Sequence, residues 1–243
     1  AVDYSSNPPR VYVADTGNNR VLGFRDIRRL RTGEKADLVL GQPDLNTTIA
    51  NYPGGQPDTP TQKGLLNPLG VTVDSEGRVY VADAGNSRLV RFPKPNFDNP
   101  ANGPDADLVL GQANFESKNT SATQATLNQP HGVAITRAGA VVVSDQVQNR
   151  VLYFAAPFSN GMAASKAIGQ SNFVNAETGN AGNRLNSPRG MVTDGDNRLY
   201  LADYNNNRVQ IFNDVDTLPA MDAAAGASVT RGCGNDNLIR PED

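Results

Sequence analysis

Residues 78–92 read RVYVADAGNSRLVRF, and three closely similar stretches begin at residues 10, 140 and 198. Every copy has an Asp followed five residues later by an Arg, which gives four pairs: Asp15 with Arg20, Asp83 with Arg88, Asp145 with Arg150, and Asp203 with Arg208. A unit that recurs with a fixed internal offset indicates a repeat protein with one supersecondary unit per copy. We therefore predict one domain over residues 1–243, with repeats at approximately 1–67, 68–129, 130–187 and 188–243.

Each repeat contains four short apolar segments separated by turn residues. A Pro-x-Gly sequence opens the first segment at residues 68, 130 and 188, and a Gly-Gln pair closes the fourth at residues 41, 111 and 169. Short runs of Val, Ile, Leu and Tyr bounded by Gly, Asn, Asp and Pro are typical of strands and tight turns. We expect four strands per repeat, named a to d. Helix should be scarce, because no segment has a long 3.6-residue apolar period.

The repeats also predict how the sheets are arranged. A single four-stranded sheet buries its faces poorly, so neighbouring sheets pack side by side, and radial packing of such sheets produces a β-propeller. A parallel-sheet solenoid is the weaker alternative, because the short connection between strands b and c is typical of an antiparallel hairpin. The predicted fold class is therefore all-β, a β-propeller of four-stranded antiparallel blades.

The pattern apolar-Tyr-Val-Ala-Asp-x-Gly-Asn-x-Arg-apolar-x-x-Phe, preceded by Pro-x-Gly-Val-x-Val-Asp, resembles the NHL repeat. The resemblance covers nearly the whole chain and implies propeller blades, commonly six in a ring. The third repeat departs from the pattern, since Ser144-Asp-Gln-Val-Gln148 replaces Ala-Asp-x-Gly-Asn. We expect the turn of this repeat to differ in shape.

Both ends of the sequence fall within strand a. Ala1-Val-Asp3 aligns with Thr72-Val-Asp74, and Leu238-Ile-Arg-Pro241 aligns with Leu127-Asn-Gln-Pro130. Two arrangements follow from this. The chain forms a four-bladed ring whose broken strand a is completed by both termini, or it forms part of a larger ring. In the second arrangement the open strand edges are available for pairing with another chain.

The composition excludes several classes of partner. Lys and Arg number 22 against 25 Asp and Glu, the net charge is −3, and no basic block is present, so we expect no nucleic-acid partner. No apolar run approaches the roughly 18 to 20 residues that span a bilayer, which predicts no membrane insertion. The printed sequence carries no signal segment, and the compartment stays open, with an extracytoplasmic or secreted location favoured. Cys233, the single cysteine, cannot form an internal disulfide.

The four Asp–Arg pairs have two interpretations. Four carboxylates around an axis resemble what a metal site uses. An Asp at the end of strand b can also accept hydrogen bonds from turn N–H groups, while the Arg five residues later pairs with it. A scaffold needs the same contacts in every unit. We therefore predict that all eight residues lock the b–c hairpins, and we expect neither a metal nor another cofactor.

Function is expected where the repeats differ. The middle residue of Pro-x-Gly varies as Leu69, His131 and Arg189. The NHL resemblance places this residue at the mouth of the central channel, on the face that carries the b–c turns. His131 is the only histidine of the chain, and one imidazole completes neither a zinc site nor a catalytic triad. We predict that these three residues contribute to ligand binding.

Two long loops add variable surface. The segment 41–68 joins strands d and a and contains Tyr52, and the segment 93–104 joins strands c and d and contains Phe97. Long loops without regular structure are often functional. Aromatic side chains among Asn residues are typical of surfaces that contact a protein or a glycan, so Tyr52 and Phe97 complete the predicted ligand-binding set.

The sequence lacks the motifs of common enzymes. No nucleophile elbow, phosphate loop, dinucleotide fingerprint or Cys-x-x-Cys is present. The amidating lyases that the NHL resemblance suggests use several histidines around a metal, which this chain cannot supply. We expect a non-catalytic binding or assembly module that presents its loops and channel mouth to a protein or glycan. Two alternatives stay open: a propeller hydrolase or lyase with a metal at the central channel, and a structural subunit that forms homo-oligomers through its terminal blade edges.

Overall fold

A computed structural model describes residues 1–100 and 103–230 of the chain. These residues form four four-stranded sheets, in each of which consecutive strands pair antiparallel. We call the sheets blades one to four. Blade one contains β1 (Val2–Asp3), β2 (Arg10–Asp15), β3 (Arg20–Phe24) and β4 (Leu38–Leu40), and blade two contains β5 (Pro68–Val73), β6 (Val79–Asp83), β7 (Arg88–Phe92) and β8 (Leu108–Leu110). Blade three contains β9 (Pro130–Ile135), β10 (Val141–Asp145), β11 (Arg150–Phe154) and β12 (Lys166–Ile168), and blade four contains β13 (Pro188–Thr193), β14 (Leu199–Asp203), β15 (Arg208–Phe212) and β16 (Ala227–Thr230).

The blades confirm the predicted all-β fold with four antiparallel strands per repeat. Strand a begins at the Pro of each Pro-x-Gly, and the Asp and Arg of each repeat are cross-strand neighbours at the end of the b–c hairpin. Strand d ends directly before Gly-Gln in the first three repeats. Turn residues in the sequence therefore set the strand limits. The treatment of 1–243 as a single domain stays a prediction.

Helix in the described residues is confined to four 3-10 turns, at Thr16–Asn18, Ile27–Arg29, Ala84–Asn86 and Tyr204–Asn206. Three of these turns form the b–c connections of blades one, two and four. Each ends at a residue in the left-handed region, namely Asn19, Ser87 or Asn207. Blade three has no helical turn between β10 and β11, although Asn149 keeps a φ of 52°. The predicted difference in the turn of the third repeat is confirmed.

The hydrophobic core lies between the blades, and β6 shows how it is built. Side chains of a strand alternate between the two faces of its sheet. Val79 and Val81 pack against blade one, and Tyr80 and Ala82 pack against blade three. All four are buried, because both faces of an inner blade are covered. This explains why strand b is a continuous apolar run instead of an alternation of apolar and polar residues.

The Gly of Pro-x-Gly allows the innermost strands of neighbouring blades to approach closely. A Cβ on Gly70 would lie 2.4 Å from the carbonyl oxygen of His131, and a Cβ on Gly132 would lie 2.4 Å from that of Arg189. No side chain fits in that space. A Cβ on Gly190, the same position of blade four, would meet no atom of the described residues within 4 Å, apart from its chain neighbours. The inner strands β5, β9 and β13 are therefore packed side by side through their glycines.

In the described part of the chain, blades one and four lie at the two ends of an arc of blades. Among the described residues, core clusters join blades one and two, two and three, and three and four, and none joins blades four and one. The closed four-bladed ring that the sequence allowed is therefore not formed by this part of the chain, and apolar side chains such as Val13 and Val209 stay exposed on the end faces. Cys233 and the predicted strand at 238–241 lie outside the described residues.

Candidate functional site

All four Asp–Arg pairs are formed in the structure. The Arg Nε lies 2.7–2.9 Å from the Asp Oδ2 in Asp15–Arg20, Asp83–Arg88, Asp145–Arg150 and Asp203–Arg208. The side chains of the pairs in blades two and three have no exposed surface. The predicted pairing is thus confirmed, and its contribution to stability stays a prediction.

Arg88 shows what the Arg of each pair does besides contacting its Asp. Its Nε donates to Asp83, and its terminal nitrogens donate to the carbonyl groups of Thr61, Gly64 and Phe115. These carbonyls belong to loops on both sides of the hairpin. One buried guanidinium therefore fixes the b–c hairpin and two neighbouring loops with donors that water does not reach.

The Gly-Gln pair stabilises the same hairpin. In the first three blades the buried Gln donates from Nε2 to the carbonyl group of the residue before the Arg, at 2.8–2.9 Å, in Gln42–Asn19, Gln112–Ser87 and Gln170–Asn149. In the sequence, Gly-Gln predicted only a strand boundary, and this role of the Gln side chain was not predicted. The signal was present in the recurrence of Gln at one position of the repeat.

Blade three lacks one donor to its Asp. In the other blades an Asn three residues after the Asp donates its Nδ2 to the carboxylate, as in Asn18, Asn86 and Asn206. In blade three the equivalent Gln148 donates to the carbonyl group of Thr120 instead. Burial raises the pKa of Asp145 to about 6, although Arg150 opposes the shift. Burial therefore holds the Asp145 carboxyl group less firmly in its charged form than a carboxyl group in water.

The three varied residues of Pro-x-Gly lie together. Leu69, His131 and Arg189 occupy the second position of the adjacent inner strands β5, β9 and β13, and all three are partly buried. Tyr204 joins them from the b–c turn of blade four, because the Arg189 guanidinium lies over its ring at 3.4 Å from the centroid. We call these four residues the mouth surface. Tyr204 was missed in the sequence, where its signal was an aromatic residue at a position that is Thr, Ala or Gln in the other repeats.

The mouth surface carries a positive charge, on the Arg189 guanidinium. Among the described residues, no acceptor lies within hydrogen-bond distance of the Arg189 side chain, and its Nε is shielded from solvent without a partner. Burial lowers the pKa of His131, and the positive charge of Arg189 lowers it further. At neutral pH the surface therefore combines a neutral imidazole with one guanidinium, in a chain whose net charge is −3.

Tyr52 lies in an ordered part of the 41–68 loop. Its side chain is partly buried, and its carbonyl group accepts a hydrogen bond from Thr61 Oγ1. The preceding Asn51 is fully buried, and its Oδ1 accepts a hydrogen bond of 2.7 Å from Asn86. Tyr52 does not belong to the mouth surface as defined above, and its predicted role in ligand binding stays a prediction.

Phe97 is not on the surface. It is 3% exposed, its ring packs edge to face on Tyr12 at 6.1 Å between centroids, and the guanidinium of Arg10 lies 4.6 Å from its centroid. Gly23 of blade one provides the space, because a Cβ there would lie 3.0 Å from the Phe97 ring. The expectation of an exposed, ligand-contacting Phe97 is therefore wrong. Its loop folds back and places the ring in the core between blades one and two.

A second concave surface lies at the opposite ends of the strands, between blades two and three. This cleft of about 610 Å³ is lined by the a–b turn of blade two and by residues 156–158 of blade three. Tyr80 and Phe158 lie edge to face there at 6.5 Å, and Arg78 pairs with Asp74 at 2.6 Å. The cleft could not be predicted from the sequence, because it exists only where two blades bring a turn and a loop together.

Within residues 1–100 and 103–230, no group of three or more His, Cys, Asp or Glu side chains is placed to hold a metal ion. No helix in the same ranges has the length and apolar character needed to cross a membrane.

Comparisons with known proteins agree with the architecture. The NHL repeat family matches residues 65–92 and 185–212, which contain strands a to c of blades two and four. Protein SUPPRESSOR OF QUENCHING 1, chloroplastic, of Arabidopsis thaliana is 24% identical over 143 residues. That match covers 58% of this chain and 12% of the Arabidopsis protein.

Solved structures show the same fold. A streptogramin B lyase structure is 12% identical with a TM-score of 0.50, over 88% of this chain and 51% of the lyase chain. A chain of the nidogen/laminin complex is 12% identical with a TM-score of 0.50, over 91% of this chain and 59% of that chain. This chain thus spans little more than half the length of these β-propeller chains. Its four sheets are blades of β-propeller type, and residues 65–92 and 185–212 match the NHL repeat.

Proposed function

We propose that this chain is a non-catalytic binding module that presents its mouth surface to a protein or glycan partner. The supporting observation is the contrast between repeated and varied residues. The repeated Asp, Arg and Gln side chains are paired inside the hairpins, whereas the donors of the partly exposed Arg189 side chain have no acceptor in the described part of the chain. Repeated contacts maintain a scaffold, and varied exposed positions bind partners.

The fold alone is compatible with several roles, since similar structures include a lyase and a protein–protein complex. The proposal rests on the side chains at the mouth. The Ser144 hydroxyl group, on β10 beside the inner strands, accepts from the Gly132 N–H at 2.7 Å and donates to the Arg189 carbonyl group at 2.6 Å. A nucleophile needs a base within hydrogen-bond reach. Because Ser144 contacts backbone groups instead of His131, the arrangement supports binding over hydrolysis.

The test is a double variant, His131→Leu with Arg189→Leu, which gives the mouth three leucines. Leu is compatible with this position because Leu69 occupies it in blade two. Immobilised peptide and oligosaccharide panels are screened with the wild-type chain, and the selected ligands are measured by biolayer interferometry. We expect the double variant to bind them at least about tenfold more weakly with an unchanged melting temperature.

Arg29→Leu is the matched control, because it removes an exposed positive charge from blade one. It should bind like the wild type. Ligands that bind equally well to the wild type and the double variant would show that the mouth surface is not the binding surface.

The end faces favour a second candidate function, a subunit that assembles through its terminal blades. Val13 is 45% exposed, whereas the equivalent Val81 is fully buried against blade one. Val209 is 38% exposed, whereas the equivalent Leu89 is buried against blade three. Exposed apolar sheet faces are typical contact surfaces. We expect Val209→Lys to abolish any concentration-dependent increase in mass measured by light scattering, and a wild-type chain that stays monomeric at all concentrations would exclude assembly.

A further inference from the structure

We propose that the mouth surface is a carboxylate-binding site in which Arg189 contacts the carboxylate oxygens, with His131 and Tyr204 beside it. The inference rests on the proposed function, because it names the chemical group that the mouth surface recognises. The ligand is an organic acid whose carboxylate belongs to a protein side chain, a chain terminus or an acidic sugar.

The hydrogen-bond donors of the Arg189 side chain support a carboxylate ligand. A guanidinium has five N–H donors, and none of those of Arg189 has an acceptor among the described residues. Partly buried charged groups are normally paired, and an unpaired one requires an explanation. Only Nε is shielded from solvent, so the two terminal nitrogens are open to an incoming acceptor. A carboxylate would supply the missing acceptors.

The second argument is that the guanidinium is already held in place. It stacks on the Tyr204 ring, and this ring belongs to a turn fixed by the hydrogen bond from Asn205 N to the carbonyl group of Asn186. The backbone of Arg189 is fixed as well, because Ser144 donates to its carbonyl oxygen. A guanidinium restrained by contacts of this kind can bind a planar carboxylate through two parallel hydrogen bonds with little further loss of freedom.

The third argument is charge. The lowered pKa of His131 leaves the imidazole neutral at neutral pH, so the mouth surface has one positive charge. One positive charge matches a carboxylate better than a phosphate dianion. A neutral imidazole still offers one N–H donor and one acceptor to the same ligand.

The fourth argument is the apolar surface around the charge. Tyr204 is 51% exposed, and Leu69 lies on the inner strand on the other side of His131. These side chains can cover the carbon skeleton of a ligand whose carboxylate reaches Arg189. Such an arrangement favours an organic acid over a small inorganic anion.

The single histidine makes the test direct. In protein labelled with ¹³C-histidine, every imidazole signal belongs to His131. Acetate and N-acetylglutamate are titrated at constant ionic strength, with acetamide and N-acetylglutamine as neutral counterparts and inorganic phosphate as the competing anion. We expect saturable shifts with the two carboxylates and weaker binding of phosphate. We also expect Arg189→Leu to weaken carboxylate binding about 10- to 100-fold, and Arg189→Lys to weaken it less.

Backbone spectra of each variant establish that it is folded, and Arg189→Gln provides a second neutral replacement. Equal affinities in the wild type and a folded neutral variant would overturn the carboxylate site, and so would equal shifts with acetamide. Tighter binding of phosphate would overturn it too. Saturable acetate binding in a chain that binds no peptide or oligosaccharide would contradict only the proposed function. A mouth-dependent ligand without a carboxylate would contradict only this inference.

Discussion

Replacing Arg88 by Met keeps most of the buried volume of the side chain and removes its charge and its five N–H donors. Both Arg88 and Asp83 have no exposed surface. The substitution therefore leaves Asp83 as an uncompensated buried carboxylate and leaves the carbonyl groups of Thr61 and Gly64 without their donor. Removing one partner of a buried pair costs about 3 to 5 kcal/mol. We expect Arg88→Met to lower the free energy of unfolding by that amount.

Arg20→Met is the matched control, because the same pair in blade one is partly open to water. The side chains of Arg20 and Asp15 are 13% and 25% exposed, so we expect a loss of about 1 kcal/mol. The two variants should then differ in melting temperature by roughly 4 to 16 °C for a chain of this length. Circular dichroism of the strand signal during heating measures the difference.

The double variant Asp83→Asn with Arg88→Met separates the lost charge pair from lost packing. If the loss arises from a buried uncompensated carboxylate, neutralising Asp83 should restore at least about 1 kcal/mol. Equal melting temperatures for Arg88→Met and Arg20→Met would refute the reasoning, since burial would then have no influence on what the pair contributes.

Blade three and the inner strands give two more predictions. Burial raises the pKa of Asp145 above its value in the unfolded chain, so the native state binds this proton more tightly, and stability should fall as pH rises from about 4 to about 6. Gln148→Asn supplies the missing donor and should reduce that fall in urea titrations, and identical pH profiles would contradict this. Gly132→Ala should lower the free energy of unfolding by about 1 to 3 kcal/mol, because the Cβ of the new alanine would meet the Arg189 carbonyl group. Gly190→Ala should leave the free energy of unfolding unchanged. If melting curves showed the same loss of stability for Gly132→Ala and Gly190→Ala, the inner edge of blade four would be covered in solution.

The repeated part of the structure could be predicted because its contacts are local and recur. The Asp and Arg of a hairpin are five residues apart and face each other at the end of two strands, as in Asp83 and Arg88. Pro68 starts a strand where its missing N–H and fixed φ predict a boundary. Because the same pattern occurs in four repeats, no strand prediction depended on a single residue.

The varied part could not be predicted, because it depends on contacts between distant residues. Phe97 is buried only because Gly23, more than 70 residues earlier in the chain, leaves room for its ring. Tyr204 contacts Arg189 only because the b–c turn of blade four folds back over the start of β13. A loop aromatic has the same appearance in sequence whether it fills a core or faces solvent.

Two residues that depart from the repeat pattern, Ser144 and Tyr204, both contact Arg189. Ser144 stands where the other repeats have Ala, and its hydroxyl group ties Gly132 to the carbonyl group of Arg189. Tyr204 stands where the others have smaller or more polar residues, and its ring covers the Arg189 guanidinium. Neither change is needed to form a blade, since the other repeats form blades without them. Natural proteins break their own local rules mainly at functional sites, so these two departures, one in blade three and one in blade four, support the proposal that Arg189 belongs to a binding surface.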